Sequence, residues 1–313
     1  MKTVVLNQSV INYDGNIDFS KLSEEVDIYD ITEEKDIVSR VQGAEIVVTK
    51  EMPVKGEIIL QFPESVKLIV EAGTGYNNID VKACQEKGIL LCNIPAYSSQ
   101  RVAQTAIMLM LNLASSMQVQ LKMLDNKNYD NFHKHLMVDH FELNDKVLGC
   151  IGYGNIAKET IQIAKAMGMK VQVYTRTKRE VEGIEFVDLD TLLKTSDVIS
   201  IHCPLNEQTR HMIDAQALSK MKKSAMLINT SRGAIIDEKA LIVALKNKEI
   251  FGAGLDVQEV EPLDIHSELF TLENAIVTPH IGWRGYETRQ RLLSIIQQDI
   301  DAYRSGNPIN RVI

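Results

Sequence analysis

The residues at positions 152–157 have the types and the spacing needed to hold a dinucleotide. They read Gly-Tyr-Gly-Asn-Ile-Ala, which fits G-x-G-x-x-G/A, and they lie between a predicted strand at 147–151 and a predicted helix. The first glycine permits a tight turn, the second lets a pyrophosphate approach the backbone, and the helix N-terminus offers free N–H groups to the phosphates. A glycine-rich turn without a ligand is the alternative, but the flanking strand and helix favour cofactor binding. The predicted contacts in this motif are Gly152, Tyr153, Gly154, Asn155 and Ile156.

The end of the next predicted strand, 170–174, bears on which dinucleotide is bound. An acidic residue there would hold the adenosine ribose hydroxyls, but the chain continues Thr-Arg-Thr-Lys-Arg from position 175. A solvated basic loop is one interpretation. The other, which we favour, is that Thr175 and Arg176, with Lys178 and Arg179 nearby, receive the 2′-phosphate of NADP. NADP is therefore the favoured cofactor and NAD the alternative.

Three further motifs follow the glycine motif in a fixed order. They are Asn-Thr-Ser-Arg-Gly at 229–233, Gly-Leu-Asp-Val-Gln-Glu-Val-Glu-Pro at 254–262 and Thr-Pro-His-Ile-Gly-Trp at 278–283. With these four motifs the chain resembles the D-isomer-specific 2-hydroxyacid dehydrogenase family from about Val70 to Trp283. The resemblance implies an oxidoreductase that transfers a hydride between NAD(P)H and a small 2-keto or D-2-hydroxy acid.

Each motif supplies a residue that suits this reaction. Reduction of a 2-keto acid needs a cation for the carboxylate and the carbonyl, and the guanidinium of Arg232 can serve both. It also needs a proton donor for the forming alkoxide, and histidine is the usual candidate, here His280. Glu261 matches the glutamate that orients this histidine in the family. Taken alone, the three residues would also fit a surface ion pair, a structural histidine and a solvated acid.

The resemblance assigns further cofactor contacts. Asp256 matches the residue that faces the nicotinamide carboxamide, although an acid that caps a turn is the alternative. Cys203 and Pro204 match the loop over the cofactor, where backbone contacts are expected and the cysteine is a packed thiol rather than a nucleophile. Thr230 lies in the second motif and is also expected to contact the cofactor.

The substrate side of the site is predicted from a loop after an early strand. Gly73, Thr74 and Gly75 can converge their backbone N–H groups on an anion, and the resemblance places this loop at the substrate carboxylate; an ordinary strand–helix turn is the alternative. Trp283 is expected to wall the substrate pocket or to pack between elements. The 75–80 segment, Gln104 and Trp283 look like those of glycerate dehydrogenases, also called hydroxypyruvate reductases, so hydroxypyruvate or glyoxylate is the expected substrate.

The elements that must position these residues form two series of alternating strands and helices, which predict an α/β protein with parallel sheets. We expect two Rossmann-like domains. The substrate domain is split across both chain ends, 1–98 plus 283–313, and the dinucleotide-binding domain spans 99–282. Residues 117–145 are predicted to be irregular and to lie in a homodimer contact over 100–145. The three histidines in that stretch do not have the spacing of a metal site, and no metal is expected.

The composition of the chain argues against several classes of function. The formal net charge of −8 gives no basic surplus for nucleic acid. The four cysteines form no C-x-x-C pair, and no apolar stretch has the length of a signal peptide or a membrane span, so a cytoplasmic protein without a membrane partner is expected. A cofactor-sensing corepressor on the same fold is the alternative function, and the chain lacks obvious tails for its partners. A formate dehydrogenase would carry glutamine where Pro279 precedes the histidine.

Overall fold

The computed structural model describes residues 1–177 and 179–313. The chain forms two compact units, a first unit of Met1–Ser98 with Arg284–Ile313 and a second unit of Ser99–Trp283. Each unit is built on one sheet whose paired strands all run parallel. The predicted fold class, α/β with two Rossmann-like parallel sheets, is therefore confirmed.

The sheet of the first unit has five strands in the order β2-β1-β3-β4-β5. The strands are β1 (Lys2–Val5), β2 (Glu25–Ile28), β3 (Ile46–Thr49), β4 (Leu68–Glu71) and β5 (Leu90–Asn93). Its helices are α1 (Ile37–Arg40), α2 (Gly56–Ile59), α3 (Val81–Lys87) and, at the far end of the chain, α11 (Tyr286–Arg304). Every residue of β3 and β4 is buried. The apolar runs Ile46–Val48 and Leu68–Val70 predict this for a parallel sheet, whereas the polar ends Thr49 and Glu71 do not.

The sheet of the second unit has seven strands in the order β12-β11-β10-β9-β6-β7-β8. The strands are β6 (Val147–Ile151), β7 (Lys170–Tyr174), β8 (Glu185–Phe186), β9 (Val198–Ile201), β10 (Met226–Asn229), β11 (Gly252–Leu255) and β12 (Ala275–Val277). The helices are α4 (Ser99–Ala114), α5 (Met117–Asp125), α6 (Asp130–His133), α7 (Asn155–Ala166), α8 (Leu189–Thr195), α9 (Ala215–Lys220) and α10 (Glu238–Lys246). Alternate residues of each central strand join two different apolar clusters, one packed with α8–α10 and the other with α4 and α7, so helices cover both faces.

Two short edge strands and one helical segment depart from the sequence predictions. β2 and β8 were not predicted, because both are short, partly exposed and lack an apolar run. The stretch predicted to be irregular contains α5 and α6. Neither helix buries any residue. Met117, Leu121 and Leu124 recur at helical spacing in α5, but all three are exposed and face no core.

No single helix among the described residues is both long and apolar enough to cross a membrane. The pair α4 and α5, which bends by 64° at its break, reaches the length and composition only when the two helices are taken together. Ten of the sixteen residues of α4 are buried, as in the core helix of a globular unit.

Candidate active site

The second unit has a natural ligand-binding point where its strand order reverses, between β6 and β9. In open parallel sheets, ligands bind beyond the carboxyl ends of the strands at this switch point. The loop after β6 carries the glycine motif, and the loop after β9 carries Cys203 and Pro204. The fold thus brings two of the predicted cofactor segments to one edge of the sheet.

Gly152 is the residue of the motif that no other amino acid could replace without strain. Its φ is +103°, and a Cβ built on it would lie 2.6 Å from the carbonyl oxygen of His202 and 2.9 Å from the backbone nitrogen of Cys203. The tight turn therefore packs directly on the loop after β9. Around Gly154, in contrast, no atom of the described residues beyond its chain neighbours lies within 4 Å of the Cβ position, which leaves open space over the start of α7.

The first turn of α7 offers the hydrogen-bond donors that a pyrophosphate needs. Among the described residues, the backbone N–H groups of Asn155, Ile156 and Ala157 donate no hydrogen bond. Thr230 Oγ1 is likewise buried without a partner in the described part of the chain. These groups and the glycine turn fit a nicotinamide dinucleotide, which when bound supplies or accepts the hydride.

The region that would select between the two dinucleotides follows β7. Thr175 is half-buried and Arg176 is exposed. The Tyr153 ring stands near two cations, with Lys158 Nζ 5.5 Å and the Arg179 guanidinium carbon 5.9 Å from its centre. Lys178 lies outside the described residues.

His280 and Glu261, which are 19 positions apart in the chain, form a direct pair. The Nδ1 of His280 lies 2.8 Å from Oε2 of Glu261, and the two side chains are 23% and 34% exposed. A carboxylate can only accept at this contact, so Nδ1 carries the hydrogen and Nε2 is left to face a reactant. Glu261 is itself fixed, because its Oε1 accepts from the backbone N–H of Gln258 at 3.0 Å.

Asp256 holds the loop that carries His280. The carboxylate of Asp256 is 1% exposed and accepts from Thr278 Oγ1 at 2.6 Å and from the backbone N–H groups of Ile281 and Gly282 at 2.9 and 2.8 Å. His280 has a left-handed φ of 51°, and its N–H donates to the Asp256 carbonyl at 2.9 Å. Asp256 therefore fixes an unfavourable backbone conformation at the histidine; its contact with the nicotinamide stays a prediction.

Arg232 follows β10, which pairs with β11, which in turn pairs with β12. The segments bearing Arg232, Asp256 and His280 therefore leave three neighbouring strands at the same edge of the sheet. Asn229 shapes the turn, accepting from the Ser231 N–H and donating to the Arg232 carbonyl, both at 3.0 Å. A Cβ on Gly233 would lie 1.9 Å from the carbonyl of Gln258, so this turn packs tightly on the loop that leads to Glu261.

Cys203, Pro204 and Trp283 are the remaining predicted site residues of the second unit. Burial raises the pKa of the Cys203 thiol to about 11, so the thiolate needed for a nucleophile is not formed at neutral pH. The Pro204 carbonyl accepts from Thr209 Oγ1 at 2.7 Å, which closes the loop after β9. Trp283 is only 3% exposed, which suits a packing role; its contact with substrate stays a prediction.

In the first unit, the Gly73–Gly75 turn follows β4. The carbonyl of Gly73 accepts from the Ile94 N–H at 2.9 Å, and the carbonyl of Thr74 accepts from Asn93 Nδ2 at 2.7 Å. The N–H of Gly73 donates to the Glu71 carbonyl, but those of Thr74 and Gly75 donate no hydrogen bond within residues 1–177 and 179–313. Two adjacent N–H groups are thus available to an anion.

Sequence reasoning missed three polar residues beneath this turn. Lys50, Glu71 and Tyr97 are 3%, 0% and 3% exposed. A signal existed in the sequence: Lys50 and Glu71 each end an otherwise apolar strand run, Ile-Val-Val-Thr and Leu-Ile-Val, where a charge is costly unless it is paired.

Comparison with known proteins agrees with this geometry. The family profile of the D-isomer specific 2-hydroxyacid dehydrogenase NAD binding domain matches residues 107–282. The hydroxypyruvate reductase of Blautia hydrogenotrophica is 35% identical over 322 aligned residues, covering 100% of this chain and 99% of that protein. The glyoxylate reductase of Thermococcus litoralis is 36% identical, covering 86% and 83% of the two chains.

A solved structure of similar fold contains a bound cofactor. The acyclic imino acid reductase Bsp5, in complex with NADPH and D-Arg, superposes with a TM-score of 0.86 at 29% identity, and each chain is covered in full. The motif order, the His280–Glu261 pair and these relatives lead to one assignment: the chain belongs to the D-isomer-specific 2-hydroxyacid dehydrogenase family and is an oxidoreductase that uses a nicotinamide cofactor on small 2-keto and 2-hydroxy acids.

Proposed function

We propose that His280, Glu261 and Arg232 are the catalytic residues. The main support for this proposal is the 2.8 Å contact between His280 Nδ1 and Glu261. As a hydride adds to the C2 carbonyl carbon, the C=O π bond breaks and Nε2 of His280 donates a proton to the forming alkoxide oxygen. Glu261 keeps the ring oriented through Nδ1, and Arg232 holds the substrate carboxylate. The product is the 2-hydroxy acid, and the reverse path returns the proton to His280.

The Glu261→Gln variant tests the pairing. A glutamine can accept the same hydrogen bond without the charge, so we expect kcat to fall by about tenfold or more with the cofactor KM unchanged. An unchanged kcat across the pH range would show that Glu261 does not act through His280.

We further propose that hydroxypyruvate or glyoxylate is reduced ahead of pyruvate and of bulky branched 2-keto acids. The proposal is supported by the names of the two relatives above and by the pattern of the 75–80 segment, Gln104 and Trp283. Specificity constants measured across these four substrate types with NADH and NADPH test it. A branched-chain keto acid at the top would remove the substrate preference, and the absence of turnover with any keto acid would favour the corepressor-like alternative.

We infer a preference for NADP(H) over NAD(H). Thr175 stands where an acid would repel a 2′-phosphate, and the exposed Arg176 can pair with that phosphate through its fork of donors. Lys158 and Arg179, both near the Tyr153 ring, add positive charge nearby.

The decisive comparison is kcat/KM for NADPH against NADH in the native protein and in Arg176→Ala. We expect a native preference for NADPH that falls by about tenfold in the variant, because one charge-assisted contact is lost. A native preference for NADH would contradict the inference, and a preference that survives the substitution would contradict the role of Arg176.

We also propose that the enzyme is a homodimer that forms through the 100–145 region. Several of its large apolar side chains are exposed, with Phe132 at 73% and Leu121 at 54%. Sedimentation of the native protein and of Phe132→Asp tests this. We expect a dimer that the aspartate weakens; a native monomer would contradict the proposal.

A further inference from the structure

Lys50 lies at the switch point of the first unit. The strand order β2-β1-β3-β4-β5 reverses between β1 and β3, and Lys50 directly follows β3. Asn7, just beyond β1, bridges this point: its Nδ2 donates to the Lys50 carbonyl at 2.6 Å, and its Oδ1 accepts from the Lys50 N–H at 3.0 Å. The backbone of Lys50 is therefore fixed where parallel sheets of this order place their ligands.

The side chain of Lys50 reaches the Gly73–Gly75 turn. A Cβ built on Gly73 would lie 3.1 Å from Lys50 Nζ and 3.3 Å from Glu71 Oε1, so an ammonium and a carboxyl group both lie against the turn. The absence of a side chain at Gly73 leaves only backbone between these two groups and the neighbouring N–H groups of Thr74 and Gly75. Any anion held by those N–H groups would feel both charges through a medium of low dielectric.

The ammonium of Lys50 is held by partners on several segments. It contacts Glu51 Oε1 at 2.6 Å and the hydroxyl of Tyr97, which follows β5. Burial opposes its charge, but the surrounding Tyr97, Glu51 and Glu71 hold the pKa of the Lys50 ammonium above the ordinary value. Burial likewise raises the pKa of the Tyr97 phenol, which stays neutral. A fixed positive charge therefore lies beneath the turn.

Lys50, Glu51 and Glu71 form a cluster in which Glu71 is the residue whose charge changes with pH. Its Oε1 accepts from the Glu51 N–H at 3.0 Å and its Oε2 from Asn78 Nδ2 at 2.9 Å. Burial raises the pKa of Glu71 to about 7, against the opposing charge of Lys50. Counting Lys50, Glu51 and Glu71, the cluster is neutral when Glu71 is protonated and carries one negative charge when it is ionised.

We propose that the Lys50–Glu71 pair beneath the Gly73–Gly75 turn sets the affinity for the substrate carboxylate, with the Lys50 ammonium attracting it and an ionised Glu71 opposing it. Both are positioning residues that act through the turn. The inference rests on the proposed reduction of 2-keto acids. It adds that affinity for the acid falls as the pH rises through the range in which Glu71 loses its proton.

Two variants with opposite expected effects test the proposal. In Lys50→Met we expect the KM for hydroxypyruvate or glyoxylate, and the Ki of the non-reacting analogue oxamate, to rise about tenfold, with kcat and the cofactor KM changed by less than about threefold. In Glu71→Gln we expect the KM to match that of the native enzyme near about pH 6 and to be about threefold lower near about pH 8.5.

Lys55→Met is the matched control. It removes the same charge from a Lys–Glu pair of the same unit, Lys55 with Glu34 at 2.8 Å, but that pair is 54% and 52% exposed. Its KM should stay native, because exposed charges are screened.

The possible results distinguish a failure of the proposed reduction of 2-keto acids from a failure of the proposed role of Lys50 and Glu71. A native enzyme that reduces no 2-keto acid would refute the proposed function itself. A native enzyme that does so, with KM and Ki within about twofold of native in Glu71→Gln at both pH values, would leave the cluster as a purely structural feature and overturn this proposal. Because glutamine is isosteric with glutamate, this result stays decisive even if Lys50→Met fails to fold.

Discussion

In the second unit the switch point between β6 and β9 is lined by glycine backbone, whereas in the first unit the point between β1 and β3 is bridged by side chains. Gly152 lets the chain turn against the His202 carbonyl, and among the described residues the first N–H groups of α7 donate no hydrogen bond. At the switch point of the first unit, the side chain of Asn7 instead forms hydrogen bonds with both the N–H and the carbonyl group of Lys50. The same sheet architecture thus leaves one edge open to a large polyanion and gives the other a packed polar cluster beside a small turn.

The two arrangements suit the different ligands proposed for them. A pyrophosphate needs many donors and close approach, which glycine and a helix N-terminus supply without any charged side chain. A single carboxylate needs few donors, and a buried charge can tune its affinity. The first arrangement depends on the absence of side chains and the second on their presence, so the two should respond differently to substitution.

The largest effect is expected at the proton donor of the second unit. His280→Ala should lower kcat by about a hundredfold or more, because general acid catalysis is lost, while cofactor binding stays near native. Steady-state kinetics and cofactor titration measure the two quantities.

His211→Ala is the control for that experiment. His211 Nε2 also pairs with a glutamate of the same loop, Glu259 Oε1 at 2.6 Å, but it lies on a different segment. We expect its kcat to stay within about threefold of native. Near-native turnover in His280→Ala, or an equal loss in the two variants, would contradict the assignment of His280 as proton donor.

The next effect compares two glycines with positive φ. Gly152→Ala should destabilise the protein by about 3 kcal/mol and weaken cofactor binding by tenfold or more, because the new methyl group would meet the backbone after β9. Gly88→Ala in the first unit should cost only about 1 kcal/mol, since no atom of residues 1–177 and 179–313 beyond the chain neighbours of Gly88 lies within 4 Å of its Cβ position and only its φ of +64° is unfavourable.

Denaturant unfolding with and without cofactor measures both variants. If Gly152→Ala and Gly88→Ala lost similar stability and bound the cofactor equally well, the turn at Gly152 would not be tightly packed against the loop after β9.

The smallest effect concerns the pH dependence of stability in the first unit. Glu71 has a folded pKa of about 7 and an ordinary value of 4.5, so the folded state holds an extra proton between these values and loses stability as the pH rises through them. Glu71→Gln removes this loss. Its free energy of unfolding, relative to native, should rise by on the order of 2 kcal/mol between about pH 5.5 and about pH 8.

Unfolding in urea at a series of pH values measures this difference. Asp299, whose pKa burial raises to about 6, adds a similar slope to both proteins and cancels in the comparison. A difference that stays flat with pH would mean that Glu71 is ionised throughout, and would remove the pH-dependent part of the substrate-affinity proposal.

Much of the fold was accessible from the sequence because the central strands are buried on both faces. Continuous apolar runs such as those of β6, β9 and β11 coincide with the predicted strands, and the glycine motif marks the turn after β6 without knowledge of its surroundings. The sequence did not predict β2, β8 and α5. Their residues are partly or fully exposed, so no buried apolar run marks them.

The sequence by itself determined the parallel α/β architecture and the residue types at 152, 232, 261 and 280, since backbone freedom and side-chain chemistry are local properties. The resemblance named Glu261 as the partner of His280, and the structure adds the 2.8 Å distance between them. Only the tertiary structure decided that Asp256 holds the turn around His280 and that Lys50 and Glu71 meet beneath Gly73. These contacts join residues from different strand ends, and the register of the parallel strands sets them at a distance that no sequence spacing encodes. The charge state of a buried group such as Glu71 depends on all of its neighbours at once, which is why it emerges only from the folded chain.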